Sequence, residues 1–445
     1  MRQNDFENTP MLKLVMSLAI PSMIAQLVNI LYSIVDRMFV GQIEEVGNVC
    51  LAAVGICGPI VTLLSSFGTL VGIGGSICLG QKNEKKASQI LYNSFVMLVV
   101  LSVCLILGFI LLKHNLIYWF GGSDALYPYA NTYLTIYTLG TFFALMSIGL
   151  NYFITGQGYA TIAMLSVCIG AITNIIFDFI LIRTLKIGVA GAAIGTVVAQ
   201  FISCMFVLCF LRFKSKIKLH KEELSIEKMK HIVKLGFSPF LIIASDSIIL
   251  IVMNMMLQKY GGNMGDIYIS AITVAQSYFL LITGPLLGIS SGTQPIYAYH
   301  FGAQNLKKIK EAFKIVISFA FLFCLIMFII SMCYSNVFVA MFTNDAMTMP
   351  IADRAIKIFC LGILMMSIQY VLVDGITGLS NVKLSLFLSL NRKLMYLGCT
   401  CLLPAFLGVS NIFYAQPTAD IYASIVTIIC FIKIIPSYLK SHGVK

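Results

Sequence analysis

The sequence predicts an all-α membrane protein with twelve transmembrane helices, arranged as two six-helix bundles. Three observations lead to this prediction. Of the 445 residues, 59% are hydrophobic and only 11% are charged, whereas a soluble domain carries about 25% charged residues. The apolar residues form twelve runs long enough to cross a bilayer, and the charged residues collect between these runs. The composition therefore disfavours a soluble enzyme, a secreted disulfide scaffold and a disordered chain.

The apolar runs follow one another at intervals that leave room for a loop after each. A membrane-spanning helix takes about 20 apolar residues, and most of these runs exceed the length of a buried helix in a soluble protein. The predicted spans cover residues 14–38, 50–80, 89–112, 129–153, 162–182, 190–211, 236–258, 268–299, 312–334, 351–376, 384–407 and 419–438. An even number of spans places both termini on the same side.

The basic residues give a net charge of +12 and collect in alternate loops. Eight of them lie between residues 212 and 234, and others follow the second and eighth runs. Because cytoplasmic loops of membrane proteins are rich in Lys and Arg, this connection and both termini are predicted to be cytoplasmic. The charge thus indicates orientation. No nucleic-acid partner is predicted, since no basic patch is interleaved with exposed aromatic residues.

The two halves of the sequence resemble each other, which predicts the two bundles. Pro21 aligns with Pro239, Asp36 with Asn254, and a Gly-x-x-Asn-x-Lys-Lys pattern follows the second span of each half. Since each half holds an even number of spans, the halves are related by a pseudo-two-fold axis along the membrane normal. The predicted domains are an N-lobe over 1–211, a cytoplasmic linker over 212–235 and a C-lobe over 236–445. Such lobes are typical of alternating access.

Several kinds of chemistry lack their sequence signals. The 13 Cys are scattered through the spans, no CxxC is present, and the five His do not cluster, which argues against a metal centre. No phosphate-binding P-loop motif occurs. We therefore predict that the chain is not an enzyme and holds no cofactor.

Six acidic residues lie inside or at the ends of the predicted spans, where a charge is expensive. Insertion of an Asp at a helix centre costs about 2.5–3.5 kcal/mol. Asp36 has Tyr32 four residues before it, and Asp178 has Asn174 at the same spacing, so each pair shares one helical face. Such groups could take up a proton, coordinate a small hard cation such as Na⁺, or form a structural polar contact between helices.

Other polar residues in the spans allow two interpretations. Each is assigned either to helix packing or to a substrate cleft between the bundles. The cleft prediction names Asp246, Asn29, Asn254 and Gln276. Asp374 lies at the inner end of the tenth span, and its role is left open. Asp353 and Asp420 begin spans and are interpreted as interfacial helix caps.

Particular segments of the sequence resemble the MATE (multidrug and toxic compound extrusion) transporters. The first is Pro21 to Gly41, which ends in Asp-Arg-Met-Phe-Val-Gly. Gln294-Pro295-Ile296 looks like its second-half counterpart, and Asn174-Ile-Ile-Phe-Asp178 is similar to a further family segment. The resemblance covers nearly the whole chain. Within the family it is strongest to the bacterial DinF-like and MepA-like exporters.

The resemblance implies a function and a set of site residues. It implies a multidrug efflux antiporter of the bacterial cytoplasmic membrane, acting as a monomer, that exports organic cations in exchange for H⁺ or Na⁺. In DinF-like members a polar cluster of the N-lobe handles the coupling ion. The matching residues are Tyr32, Asp36, Tyr133, Asn151, Asn174, Asp178 and Thr196. If the ion is Na⁺, its ligands would come from Asp36, Asn174, Asp178 and Thr196.

Two other functions are alternatives to the antiporter. A lipid-linked oligosaccharide flippase of the same superfamily would need a strongly cationic cleft. The cations inside spans are few and lie mostly near span ends, among them Arg354, Lys357, Arg392, Lys393 and Lys433. A membrane-embedded enzyme would need a catalytic constellation of His, Cys or paired acids, which the sequence does not display.

Overall fold

The computed structural model of this chain describes residues 9–78, 84–157 and 159–442, and these are helical nearly throughout. The helices are α1 (Met11–Gly41), α2 (Gly47–Cys78), α3 (Glu84–Trp119), α4 (Tyr127–Leu139), α5 (Thr141–Gly156), α6 (Ala160–Asp178), α7 (Val189–Cys209), α8 (Ile226–Gly261), α9 (Gly265–Gly292), α10 (Gln294–Gly302), α11 (Leu306–Ala340), α12 (Thr348–Phe359), α13 (Ile363–Gly378), α14 (Val382–Leu407) and α15 (Ala415–Ser441). The all-α membrane fold class is confirmed.

Each predicted span lies within one helix or two consecutive helices, as far as the structure describes it. Within the described residues, nine helical stretches are long and apolar enough to cross a membrane, or ten if the bent pair α4–α5 is one span. The stretch Phe240–Gly302 is 63 residues long and contains most of two predicted spans. Helix α14 is not among these stretches, and it carries the adjacent cations Arg392 and Lys393.

Three predicted spans are built from two helices. Helices α4 and α5 meet at Gly140 and are bent by 54°. Helices α9 and α10 are separated by Thr293, and Pro295 stands in the first turn of α10, where its missing N–H leaves no helical bond unmade. A short 3₁₀ turn, Cys360–Gly362, joins α12 to α13.

The chain forms two compact units. One comprises residues 32–270, and the other comprises the residues up to 31 together with those from 271 onward. The predicted lobe boundaries at 211 and 236 stay a prediction. Residues 226–235 of the predicted linker are helical, because Ser225 caps α8 by accepting a hydrogen bond from the N–H of Lys228.

Two apolar cores lie among the described residues of the unit 32–270. One lies among α3, α5 and α7 and includes Leu98, Phe153 and Cys204. The other lies among α2, α4 and α7 and includes Ile60 and Leu134. Because lipid is as apolar as these side chains, close packing and polar contacts, rather than escape from water, hold such helices together.

Small residues set the packing in the other unit. Three glycines of α9 face the first part of α1. A Cβ added at Gly284 would overlap Ile30, one at Gly288 would overlap Met23, and one at Gly292 would overlap Ser22. The spacing of four residues places the three glycines on one face of α9. Small residues at such spacing let two helix backbones approach closely in a membrane.

Candidate functional site

Two acidic side chains from different helices meet inside the unit of residues 32–270. Asp36 lies near the end of α1, and Asp178 is the last residue of α6, where a π-helical turn, Phe179–Thr184, begins. Their carboxyl groups lie within hydrogen-bonding reach of each other. Asp178 is fully buried. The structure therefore brings together the two acids that the sequence singled out.

Asn174 and Thr196 extend the acid pair into a polar cluster. The Nδ2 of Asn174 donates to Asp178 Oδ1 at 3.3 Å and to Thr196 Oγ1 at 3.4 Å. Asn174 lies one turn before Asp178 on α6, as the four-residue spacing predicts. Thr196 belongs to α7 and donates its hydroxyl hydrogen to the carbonyl of Ala192 at 3.0 Å. Its oxygen is thus held toward α6 with an acceptor lone pair facing the cluster.

A glycine makes the approach of α7 to Asp178 possible. Gly195 is buried on α7, and a Cβ at this position would overlap Asp178 Oδ1. Any larger residue would push the carboxylate away from Asn174 or separate the two helices. The sequence thus has a Gly directly before Thr196, at the point where α7 lies closest to Asp178.

Three buried oxygens of this cluster lack a hydrogen-bond donor among the described residues. They are Asp36 Oδ1, Asn174 Oδ1 and Asp178 Oδ2. A buried oxygen without a donor is unfavourable, and two adjacent buried carboxylates repel each other when both are charged. Either a proton shared by the acids or a small cation among the oxygens would relieve both penalties. Oxygen ligands are those that hard cations prefer.

Tyr133 of α4 stands beside the acids and connects them to a second polar group. It is 5% exposed and interacts electrostatically with both Asp36 and Asp178. Its ring is stacked on that of Tyr137, one turn later, with centroids 6.4 Å apart. The hydroxyl of Tyr137 accepts a hydrogen bond from Gln200 Nε2 at 2.9 Å and lies 3.3 Å from Ser65 Oγ.

Sequence reasoning missed the group formed by Ser65, Tyr137 and Gln200. A signal for it was present, since Tyr133 and Tyr137 are four residues apart and Gln200 lies four residues after Thr196. Both spacings place the second residue on the same face as the first. The polar residues therefore form two adjacent layers along α4 and α7.

The structure does not bring all of the predicted cluster together. Asn151 donates its amide to the carbonyl of Ala163 at 3.3 Å. Ala163 precedes Asn174 by eleven residues on α6, which is about 16 Å along the helix axis. The side chain of Tyr32 lies outside the described residues. The roles of Asn151 and Tyr32 in ion coupling stay predictions.

The predicted cleft residues are found in different settings. Asn254 is 3% exposed and donates to the carbonyl of Gly55 at 3.2 Å, so it ties α8 to α2. Asp246 of α8 is exposed, and Gln276 of α9 is half-buried. The side chain of Asn29 lies outside the described residues. Asn254 thus has a clear packing contact, and a substrate role for all four stays a prediction.

The other unit holds two further acids that accept hydrogen bonds, of which Asp374 is half-buried. Asp374 of α13 accepts a hydrogen bond from Ser290 Oγ on α9 at 2.5 Å. Asp420 is fully buried and accepts bonds from Arg392 Nη1 at 3.0 Å and Gln416 Nε2 at 2.8 Å. The interpretation of Asp420 as a helix cap is wrong, because α15 begins at Ala415 and Asp420 lies in its second turn.

Comparison with known proteins identifies the family. The sequence model described as MatE matches residues 21–180 and 243–395, which is more than half of the chain. The Multidrug export protein MepA of Staphylococcus haemolyticus (strain JCSC1435) is 25% identical over 427 residues, covering 93% of this chain and 92% of the relative. The MepA of Staphylococcus saprophyticus is 26% identical over 372 residues, covering 82% and 81%.

Solved structures agree with this match. An inward-facing conformation of a multidrug resistance MATE family transporter of the MOP superfamily superposes with a TM-score of 0.84 at 22% identity, covering 93% of this chain and 96% of that one. The MATE multidrug transporter DinF-BH, solved in complex with a ligand, superposes with a TM-score of 0.77 at 29% identity and 97% coverage of both chains. The resemblance seen in the sequence is thereby confirmed, and the chain belongs to the MatE family of multi-pass membrane transporters.

Proposed function

We propose that this protein exports organic, mostly cationic, drug-like compounds across a bacterial cytoplasmic membrane in exchange for H⁺ or Na⁺. The observation that carries the proposal is the buried Asp36–Asp178 pair with its oxygens that lack donors. The relatives named as multidrug export proteins, and the structural neighbour named as a multidrug transporter, support the choice of cargo. The protein works as a monomer with both termini in the cytoplasm.

The acid pair couples the ion to the transport cycle through its charge. An external cation or proton binds between Asp36 and Asp178 and offsets one of their two negative charges, which relieves their repulsion. Loss of the ion to the cytoplasm restores the negative charge. If the outward-open and inward-open states hold the pair in different surroundings, its charge biases the equilibrium between them. Drug then leaves from the outward state and enters at the inward state, which is alternating access.

The driving force depends on the charges exchanged. One charge moved across 100 mV is worth about 2.3 kcal/mol. When a monovalent organic cation leaves as one H⁺ or Na⁺ enters, this voltage contribution cancels. The concentration gradient of the coupling ion then drives export, and each tenfold ratio supplies about 1.4 kcal/mol. Exchange for two ions would restore the dependence on voltage.

Transport by purified protein under imposed gradients tests this proposal. Proteoliposomes containing a fluorescent organic cation are diluted so that either a pH gradient or a Na⁺ gradient exists alone, with the voltage clamped. We expect efflux to accelerate under one gradient and to stop when an ionophore collapses it. Ion coupling would be contradicted if the efflux rate is the same with and without each gradient while protein-free liposomes retain the dye.

Gly195→Ala is expected to impair the ion site without preventing folding. The added methyl group meets Asp178 Oδ1, so the carboxylate must move away from Asn174. We expect ion-driven efflux to fall about tenfold or more, since misplacing a binding group by about 1 Å carries losses of this size. Gly398→Ala in α14 is the matched control, because a Cβ there meets no atom within 4 Å.

The comparison is made at equal amounts of membrane-inserted protein. Gly398→Ala should transport like the unmodified protein. If Gly195→Ala also retains full ion-driven efflux, the close approach of α7 to Asp178 has no part in coupling.

A further inference from the structure

A cavity of about 640 Å³ lies where α3 and α8 begin, within the unit of residues 32–270. Its charged lining consists of Lys86, Glu227, Lys228, Lys230, His231 and Lys234. Four ammonium groups thus face a single carboxylate. The volume falls in the range of small-molecule sites, about 300–1,000 Å³. The acid pair on α1 and α6 shares no residue with this cavity.

The sequence spacing on α8 explains the cluster. Glu227, Lys230, His231 and Lys234 follow one another at i, i+3, i+4 and i+7, so they lie along one face of the helix. Lys86, in the first turn of α3, closes the cavity from the other side. Lys228 is half-buried and donates to Gln89 Oε1 of α3. Charges on two helices therefore converge on one space.

The wall of this cavity is held by buried hydrogen bonds. Asn93 of α3 is 0% exposed and binds the chain before α8 at two points. It accepts from the N–H of Ser225 at 2.8 Å and donates to the carbonyl of Glu223 at 3.0 Å. The spacing between Lys86 and the lysines of α8 is thus fixed by the fold.

The cavity lies at the edge of the apolar part of both helices. The predicted apolar run of α3 begins at residue 89, and Ile90 lines the cavity. The predicted apolar run of α8 begins at residue 236, two residues after Lys234 or about 3 Å along the helix. The cavity therefore lies where both apolar runs begin, and phospholipid headgroups are expected at this level. Basic pockets at such positions bind anionic lipid headgroups.

We propose that this cavity binds an anionic phosphate group, such as that of a phospholipid headgroup or a free phosphate ion. Lysine ammonium groups bind phosphate as point charges, and four of them around one space supply the required field. The group would bridge α3 and α8 through their lysines and stabilise the attachment of the segment before α8. The position of the cavity favours the lipid as the source.

Ligand-dependent thermal unfolding of the purified, detergent-solubilised full chain tests this site. The probes are phosphatidylglycerol, phosphatidylcholine with the same acyl chains, and inorganic phosphate at constant ionic strength. We expect phosphatidylglycerol to raise the melting temperature more than phosphatidylcholine does. The double replacement Lys230→Gln/Lys234→Gln should weaken its apparent affinity about tenfold or more, given the contribution of each lysine near an anionic lipid.

Two further variants separate a site from general attraction by positive charge. Lys307→Gln/Lys310→Gln removes two exposed lysines from the start of α11 and should leave the phosphatidylglycerol response intact. Lys230→Arg/Lys234→Arg keeps the charge and should retain most of the response, which keeps the test valid if the Gln variant folds poorly. If inorganic phosphate alone reproduces the effect, the site stands and its ligand is a soluble phosphate. The site is refuted if Lys230→Gln/Lys234→Gln responds to phosphatidylglycerol like the unmodified protein. It is also refuted if Lys307→Gln/Lys310→Gln loses the response to the same extent.

Discussion

Replacing Asp36 with Asn is expected to abolish ion-driven export while leaving the protein folded and inserted in the membrane. The amide has nearly the shape of the carboxyl group but cannot take up a proton or carry the negative charge that attracts a cation. Asp178 would then have no acidic partner within the cluster it forms with Asn174 and Thr196. We expect efflux from proteoliposomes under a pH or Na⁺ gradient to fall to the level of protein-free liposomes.

Asp124→Asn is the matched control for this replacement. Asp124 lies exposed between α3 and α4 and accepts a hydrogen bond from the hydroxyl of Tyr118 at 2.8 Å. The same chemical change outside the membrane should leave gradient-driven efflux intact. Full efflux by Asp36→Asn, at equal protein in the membrane, would remove Asp36 from the coupling site.

Equilibrium drug binding gives a second readout of the same prediction. Coupling between two sites changes affinity by about 5–150-fold, so the affinity of the unmodified protein for an organic cation should depend on pH or on Na⁺. In the Asp36→Asn protein this dependence should disappear, while binding itself remains. A variant that no longer binds the dye under any condition would indicate a folding defect and not a loss of coupling.

The helices and the acid pair could be predicted from sequence because local patterns determine both. Apolar runs of sufficient length become helices in a membrane, since every backbone N–H and C=O must be bonded within its own segment. The four-residue spacing of Asn174 and Asp178 gives a shared face, and the structure shows the hydrogen bond between them. That Asp36 reaches Asp178 followed only from the family resemblance, because α1 and α6 are far apart in sequence.

Contacts between distant helices account for what could not be predicted. The amides of Asn151 and Asn254 bind backbone carbonyls of neighbouring helices, and no local pattern distinguishes such an Asn from one that binds a ligand. The sequence predicts Asp420 to be a helix cap because its apolar run begins at residue 419. The helix instead begins at Ala415, since Pro417 is tolerated in the first turn, and this places Asp420 inside the protein.

Breaking the buried ion pair of Asp420 from one side should strongly destabilise its unit. Arg392 Nη1 lies 3.0 Å from Asp420 Oδ1, and the two side chains are 18% and 0% exposed. The guanidinium also stands over the ring of Tyr370, 5.4 Å from its centroid. Asp420→Asn leaves the charge of Arg392 without its counter-ion. Because breaking one side of a buried pair costs about 3–5 kcal/mol, we expect a clearly lower melting temperature in detergent.

A double replacement and an exposed pair show why burial decides the size of this effect. Arg392→Met/Asp420→Leu removes both charges and should recover most of the lost stability, as apolar residues often replace buried ion pairs without loss. Lys186 and Glu44 form an ion pair of 2.8 Å whose side chains are 67% and 78% exposed. Lys186→Met should therefore hardly change the melting temperature, since water screens that pair.

If Asp420→Asn melts like the unmodified protein, Arg392 must find another partner or reach water. Asp420 lies in a different unit from Asp36 and Asp178. Transport by the folded fraction of the Asp420→Asn protein should therefore still depend on the coupling ion.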